Sequence, residues 1–578
     1  MRIKHFFGLA VIAAMTASCS SNNDLTNGGG NGSGENETGA SYASFSINLP
    51  TTSGTRAADD PNFDHGSDYE YKVNDATLLI FKKGATEAEG DYTFVESAEL
   101  GSMAPWKDPN ETGVTTHAKI TAKLEKVNKT DKFFALVLLN NGTGANAKVT
   151  LSSLNVGDTF STLNAATNAT DKFANYENGF YMANAPLFKD HNVTTLVPIE
   201  SSKIYSTEEE AAKNAATDVY VERGLAKVTL GTGTTTEKTV ADGTYKDGKV
   251  TISNWALDIT NKKTFPIHNV DGLTAAFDDI WGNNTTASPT NNATNQRFVD
   301  NNTATLVKRV YWGIDPNYKN TDLCKEDADG TAARDKEFTY VKNNTDVKED
   351  PSNPLYCLEN TFNLDNMMQG QTTRIVFKAT YTPKGFTTGD TFYKIGKNTA
   401  IWSKTDLETE IKAAVASVIS GAAGNTTVTL NAEGYDITAA GTHYIAAANI
   451  SVTGVETETI TNNINAINTQ LGLNKDKKVG ISTYAGGKSY YVARIKHFGD
   501  ELTPWSSGNY GSDNLSFLGR YGMLRNNWYE LTVDKVSGPG YPSVPEVKPN
   551  TPDDEDDKYI SVSVKILDWA KRSQKVDL

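Results

Sequence analysis

Catalytic and metal-binding signatures are what this chain has least of. Its seven histidines, His5, His65, His117, His191, His268, His443 and His497, are scattered. None pairs at metal-ligand spacing, and there is no His-Glu-x-x-His run. No Gly-x-Ser-x-Gly occurs, which removes the common serine-hydrolase elbow. Gly487-Lys488-Ser489 resembles the end of a phosphate-binding loop, but Ser482 stands where the first glycine is required, and a strand pattern follows instead of a helix. Asp327-Ala328-Asp329-Gly330 resembles part of a calcium loop, yet Lys325 and Lys336 occupy its first and last ligand positions. No catalytic residue, cofactor site or metal site emerges, and an enzyme is not expected.

Basic charge is also short. Lys and Arg number 55 against 70 Asp and Glu, a net charge of -15, which argues against a nucleic-acid partner. Only three cysteines occur, Cys19, Cys324 and Cys357. In an exported protein Cys324 and Cys357 could form a disulfide, a pairing that spacing leaves open. Apart from Phe6 to Met15 no long apolar run exists, and that one is too short to span a membrane.

What is present begins with that run. Met1-Arg2-Ile3-Lys4 precedes it as a basic region, and Thr16-Ala17-Ser18-Cys19 follows it, so the segment reads as an export signal. Small residues ending in Cys19 look like a lipoprotein cleavage box, although Thr16 stands where a larger apolar residue is usual; the alternative is an ordinary signal peptide that happens to contain Cys19. Under the lipoprotein reading Cys19 is acylated. Residues 20–40 are a Ser/Asn/Gly spacer. Ala43 to Leu49 then alternates as a strand, with Phe45, Ile47 and Leu49 on one face. A second small-residue loop contains Arg56 alone as a basic site, the kind of place where proteolytic nicking concentrates.

Strand signals dominate the body. Ala76 to Phe81, Phe133 to Leu139 and Val219 to Leu230 are runs of β-branched, aromatic and aliphatic residues, and Asn140-Asn141-Gly142 closes the second as a turn. The small-residue break from Gly231 predicts a domain boundary. Beyond it lie Lys249 to Leu257, Arg374 to Tyr381, Tyr490 to Ile495 and Trp528 to Val533. Helices are few. Thr207 caps one, Thr405 is predicted to cap another bearing Leu407, Ile411, Val415 and Val418, and Ile460, Ile464, Ile467 and Leu471 form a third apolar stripe. Both stripes read as faces laid on a sheet.

The end of the chain is unlike the rest. Five of the 18 prolines fall between Pro539 and Pro552, ahead of an acidic run from Asp553 to Asp557, which predicts an extended, solvated tether. It leads into Tyr559 to Trp569, where Ile560, Val562, Val564 and Ile566 alternate with small or polar residues. A strand on so long a lead is expected to reach another subunit.

Taken in order, the leader, the short strand with its Arg56-Ala57 junction, Val221-Glu222-Arg223 with Ala226-Lys227-Val228, Leu524 to Tyr529, the Pro/Asp tether and the closing strand resemble the Mfa-like fimbrillins, shaft subunits of type V pili. The resemblance implies an all-β fold of two tandem transthyretin-like Greek-key β-sandwich domains with a few short peripheral helices. It implies residues 1–19 as lipoprotein signal, 20–56 as a propeptide with the removable strand, 57–231 and 232–537 as the sandwiches, 538–558 as tether and 559–578 as donor strand. It further implies an outer-membrane precursor cut between Arg56 and Ala57 by an Arg-specific protease. Removing Phe45, Ile47 and Leu49 would open a groove, and Ile560, Val562, Val564, Ile566 and Trp569 of the next subunit would fill it. Exchange of this kind builds a head-to-tail homopolymer, with anchor and tip subunits as further partners. Burying those side chains contributes on the order of 8 to 15 kcal/mol gross. The alternatives are a tip or anchor subunit, or a glycan-binding surface lipoprotein whose aromatics act as platforms. Residues 271–370 match no pattern with an assignable role.

Overall fold

The computed structural model describes residues 39–48, 68–100, 117–168, 173, 179–189, 192–270, 308–310, 312–396, 398–430, 435–439, 442–477, 479–498, 503, 517–553 and 560–567. Its fold is a mostly β arrangement of sandwiches, and apolar alternation decides where each strand lies. The first sheet contains β1 (Ser41–Asn48), β2 (Ala76–Lys82), β3 (Thr93–Glu99), β4 (His117–Leu124), β5 (Phe133–Leu139), β6 (Met182–Asn184), β7 (Val197–Ile199) and β8 (Thr217–Arg223). Their order is β3-β2-β5-β6-β8-β1-β4, with β7 also on β5. The sheet curls until its ends approach, where the Glu96 carboxylate on β3 accepts the backbone N–H groups of Glu125 and Lys126, both at 2.9 Å, just after β4. Inside the curl lies one core containing Phe45, Ile47, Leu78, Ile80, Val137, Phe180, Val219 and Val221.

The second sandwich is two four-stranded sheets face to face. One has the order β12-β9-β15-β16, formed by β9 (Leu225–Leu230), β12 (Leu355–Leu358), β15 (Trp528–Val536) and β16 (Ile560–Leu567). The other has the order β10-β11-β13-β14, formed by β10 (Lys238–Thr239), β11 (Lys249–Asp258), β13 (Arg374–Thr382) and β14 (Lys488–Arg494). Val228, Trp255, Ile375, Phe377, Tyr491, Tyr529 and Leu531 fill the space between them. The segment Val219 to Leu230, a single run in the sequence, is split here. The chain changes sheets at Gly224, ahead of the break expected after Leu230. A Cβ at Gly224 would meet the rings of Phe173 and Tyr181 at 3.1 Å, so a side chain at the crossing would press on both rings.

Between the adjacent strands β13 and β14 the chain makes an excursion with its own core. Strands Phe392–Ile395, Ile481–Tyr484, Thr442–Ile445 and Tyr435–Ala439 form its sheet, and the longer helices Lys404–Val418 and Thr457–Gln470 pack there. Leu407, Ile411, Val415, Ile460, Ile467 and Leu471 are buried together, so both stripes are packing faces, as the spacing predicts. The first of these helices starts two residues before the expected position. Ser403, not Thr405, is its cap, accepting from the Asp406 N–H at 3.2 Å. The calcium-like Asp327 is likewise a cap, accepting from Gly330 N–H at 2.8 Å at the start of helix Ala328–Glu337. Gly487-Lys488-Ser489 leads into β14, a strand.

Candidate strand-exchange site

β1 is an interior strand. It runs antiparallel to β4, with Ser41 to Asn48 paired against Leu124 to His117, and parallel to β8, with Phe45 to Asn48 paired against Thr217 to Tyr220. Above the parallel stretch Tyr42 exchanges both backbone hydrogen bonds with Tyr205 at 2.8 Å. Its inward residues Ala43, Phe45 and Ile47 are fully buried. Phe45 and Ile47 together supply on the order of 3 to 6 kcal/mol of burial.

The outer face of β1 is covered at one point. Helix α1 (Glu208–Lys213), capped by Thr207 through the Glu210 N–H at 3.2 Å, lies over it. The Ser44 hydroxyl donates to the Ala211 carbonyl at 2.7 Å and shares a 2.8 Å hydrogen bond with Thr121 of β4. Lys119 of β4 binds the end of the same helix, donating to the carbonyls of Ala212 and Asn214 at 2.9 Å. Ser44 is therefore fully buried beneath α1, whereas Ser46 and Asn48 on the same face are half-buried.

The motifs singled out in the sequence meet at the seam between the sandwiches. The Asn526 side-chain oxygen accepts from Arg223 N–H at 3.2 Å, and Asn526 N–H donates to the Leu225 carbonyl at 2.7 Å. Asn526 sits at φ 59°, a left-handed conformation that Asn tolerates. Lys227 N–H donates to Asn527 O at 2.9 Å, and its ammonium lies 3.6 Å from the Trp528 ring centroid. The same ammonium forms a buried ion pair with Glu70 at 2.8 Å, and Glu70 also accepts from the Tyr356 hydroxyl at 2.5 Å. Arg223 donates to the Glu70 carbonyl at 2.8 Å, and burial lowers its guanidinium to about 10. Nearby, Glu222 holds His268 at 2.6 Å, and Arg525 binds Glu359 at 3.1 Å. Glu70 was not identifiable from sequence as their partner, since it lies far away in the chain with no pattern around it. It comes after the Arg56-Ala57 junction, so a cut there leaves the seam intact.

The Pro-rich tether is not solvated along its length. From Gly538 to Asp553 it is a strap docked on the second sandwich. Tyr541 exchanges backbone hydrogen bonds with Tyr490 at 2.8 Å, and the carbonyls of Gly538 and Gly540 accept from the Tyr491 and Tyr484 hydroxyls at 2.8 and 2.9 Å. Gln369 N–H donates to Thr551 O at 2.8 Å. Asp553, fully buried, binds Arg494 at 3.0 Å and accepts from the Thr372 hydroxyl at 2.5 Å. Proline forbids a central strand but not docking, because an extended strap keeps its carbonyls free to accept. After it β16 lies antiparallel to β15, Ile560 opposite Val536 and Leu567 opposite Trp528. The expected outward-reaching strand thus rests on its own second sandwich, at an edge, with one neighbour.

Cys324 and Cys357, whose pairing the spacing leaves open, are both free thiols. Cys357 is buried in the second core, where desolvation pushes its thiol up to about 12. Cys324 instead accepts from Gln371 at 2.9 Å. Cys19, Leu49, Arg56, Ala57 and Trp569 lie outside the described residues; Phe45 and Ile47 share the core with the rest of the first sandwich, and Ile560, Val562, Val564 and Ile566 all fall on β16.

Residues 482–575 match the family described as major fimbrial subunit protein type IV, fimbrillin, C-terminal. That span takes in β14, the Asn526 turn, β15, the strap and β16. Its C-terminal part is similar to that of a fimbrillin. No curated protein matches the chain. A solved structure, the tip fimbrial protein Mfa3 from Porphyromonas gingivalis with C-terminal truncation, aligns over 91% of this chain and 100% of its own at 11% identity. Its TM-score is 0.29, which carries no argument about the arrangement of parts.

Proposed function

We propose that this fimbrillin is a shaft subunit of a surface fimbria and assembles by strand exchange. In this reading the precursor is exported with Cys19 lipidated in the outer membrane. An Arg-specific protease cuts between Arg56 and Ala57 and frees β1. The closing segment of another copy, from Ile560 onward, takes its place. Repetition gives an open head-to-tail polymer that supports adhesion and ends in anchor and tip subunits.

The observation that carries this reading is the interior position of β1. Taking it out unpairs β4 and β8 at once and opens the core beside Phe45 and Ile47. β16 offers a complementary alternation and, among the described residues, has a ladder with β15 alone to give up, whereas the slot provides ladders on two sides. Burial of Ile560, Val562, Val564 and Ile566 would add about 1.5 to 3 kcal/mol each, less the ordering entropy.

The test is to treat purified precursor with an Arg-specific protease, sequence the new N-terminus and run the product without boiling. The expected result is an N-terminus at Ala57 and a ladder of heat-stable multimers, with R56A resisting both changes. A chain cut at Ala57 that remains monomeric overturns the reading.

A further inference from the structure

The slot left by β1 constrains the register of its occupant, because among the described residues its outer side is closed by α1 at Ser44. Ser44 fills that position with a hydroxyl and has no exposed surface, while Ser46 and Asn48 face partly outward. Any strand entering the slot must place a small residue beneath α1 and apolar residues at the sites of Ala43, Phe45 and Ile47.

We infer that the closing segment of a second copy enters in the direction of β1, with Ser561 at the site of Ser44. This rests on the strand-exchange reading and specifies its register. Tyr42-Ala43-Ser44-Phe45-Ser46-Ile47-Asn48 then corresponds to Tyr559-Ile560-Ser561-Val562-Ser563-Val564-Lys565. Ile560, Val562 and Val564 point into the core, Ser561 reaches the Ala211 carbonyl, and Lys565 takes the half-exposed place of Asn48. The two outer serines and the leading tyrosine are the same in both segments.

Neighbouring registers lose either these inner contacts or the match of the outer residues. Sliding the donor two residues one way puts Tyr559 beneath α1 and Lys558 at the inward place of Ala43. Sliding it two residues the other way keeps a serine, Ser563, beneath α1 and Val562, Val564 and Ile566 inward, but it breaks the match of the outer residues by putting Lys565 at the half-buried place of Ser46 and Leu567 at that of Asn48. Reversed with Ile566 at the site of Ala43, the strand places Lys565 beneath α1, where an ammonium would be desolvated against the helix. Reversed and shifted to bring Ser563 there, it keeps Val564, Val562 and Ile560 inward but loses the outer match, with Lys565 at the place of Tyr42 and Tyr559 at that of Asn48.

Ser44 and Thr121 face each other across the β1–β4 ladder at 2.8 Å, so the incoming residue at that site can be trapped by a cysteine. Full-length precursors carrying S561C with T121C, or S563C with T121C, are cut with an Arg-specific protease, allowed to assemble and oxidised. Disulfide-linked peptides are then read by mass spectrometry. The expected result is an intersubunit link between positions 561 and 121 and none between 563 and 121. A link between 563 and 121, or polymers lacking the 561–121 link, overturns the register while leaving strand exchange standing. Failure of cut wild-type chain to polymerise overturns both.

A second pair of variants needs no crosslink. S561F should abolish the ladder after cleavage, whereas S563F, at the half-exposed place of Ser46, should keep it. Equal ladders from both, or loss from S563F alone, overturns the register.

Discussion

Glu70 is the residue on which the seam depends. Its carboxylate is fully buried and holds Lys227 at 2.8 Å, with the Tyr356 hydroxyl at 2.5 Å. Burying a charge is costly unless its partner stays, so Glu70→Ala should destabilise the precursor by about 3 to 5 kcal/mol, read as a lower urea midpoint. Replacing Glu70 and Lys227 together with apolar residues should recover much of that loss. A second buried carboxyl gives a pH effect. Asp315 accepts from the backbone of Thr361 at 2.9 Å and Asn317 at 2.7 Å and from the Asn261 amide at 2.5 Å, yet burial outweighs these donors and raises it to about 7. The folded state then holds the proton more tightly than the unfolded chain, whose carboxyl sits at ~4. Stability from this group is full below that value and declines as pH rises toward 7. Urea midpoints at pH 5 and pH 8 should therefore fall more steeply for the parent than for Asp315→Asn, which cannot titrate. At this scale the sequence exposed the words but not the sentence. Arg223, Lys227 and Asn526 stand out as a pattern, while Glu70, His268 and Glu359, their partners or neighbours in space, have nothing around them to mark a long-range contact.

Among the elements, β1 makes the sharpest prediction, because its contribution should vanish on maturation. Phe45→Ala should cost the precursor about 3 to 5 kcal/mol by opening a cavity. It should leave the assembled polymer as heat-stable as the parent, since the altered strand is gone. A polymer weakened to the same degree would show that β1 is retained. Elements were largely legible in the sequence: β5 spans the same residues as its apolar run, and Thr207 is the cap its capping pattern predicts. The errors have physical causes. A single apolar run spans Val219 to Leu230, but Gly224 lets the chain turn from one sheet into another. The Pro-rich strap reads as solvated because proline signals the loss of a ladder donor, while its docking relies on carbonyls, which composition does not reveal. The excursion between β13 and β14 has helix caps and stripes that sequence shows, but its separate core depends on which distant strands pair.

For the whole molecule, the two ends should have separable roles: the front opens a slot and the back fills one. A chain lacking residues 560–578 should fold, because it loses only an edge strand and the short C-terminal stretch after it. After cleavage it should accept a donor without providing one. Added in rising proportion to cut parent chain, it should shorten the ladder, whereas an uncut truncated chain should have no effect. Ladder length that ignores the truncated chain would place the donor elsewhere.

Asp553 has a mechanical consequence. Held by Arg494 and Thr372, it fixes the root of the closing segment, and the backbone from there to Ile560 can reach at most about 25 Å. In a filament built by strand exchange, links that short would leave little slack between successive bodies. Tension on a filament would pass from one sandwich to the next through nearly taut backbone, so stretching should load the Asp553–Arg494 clasp before it unravels either core.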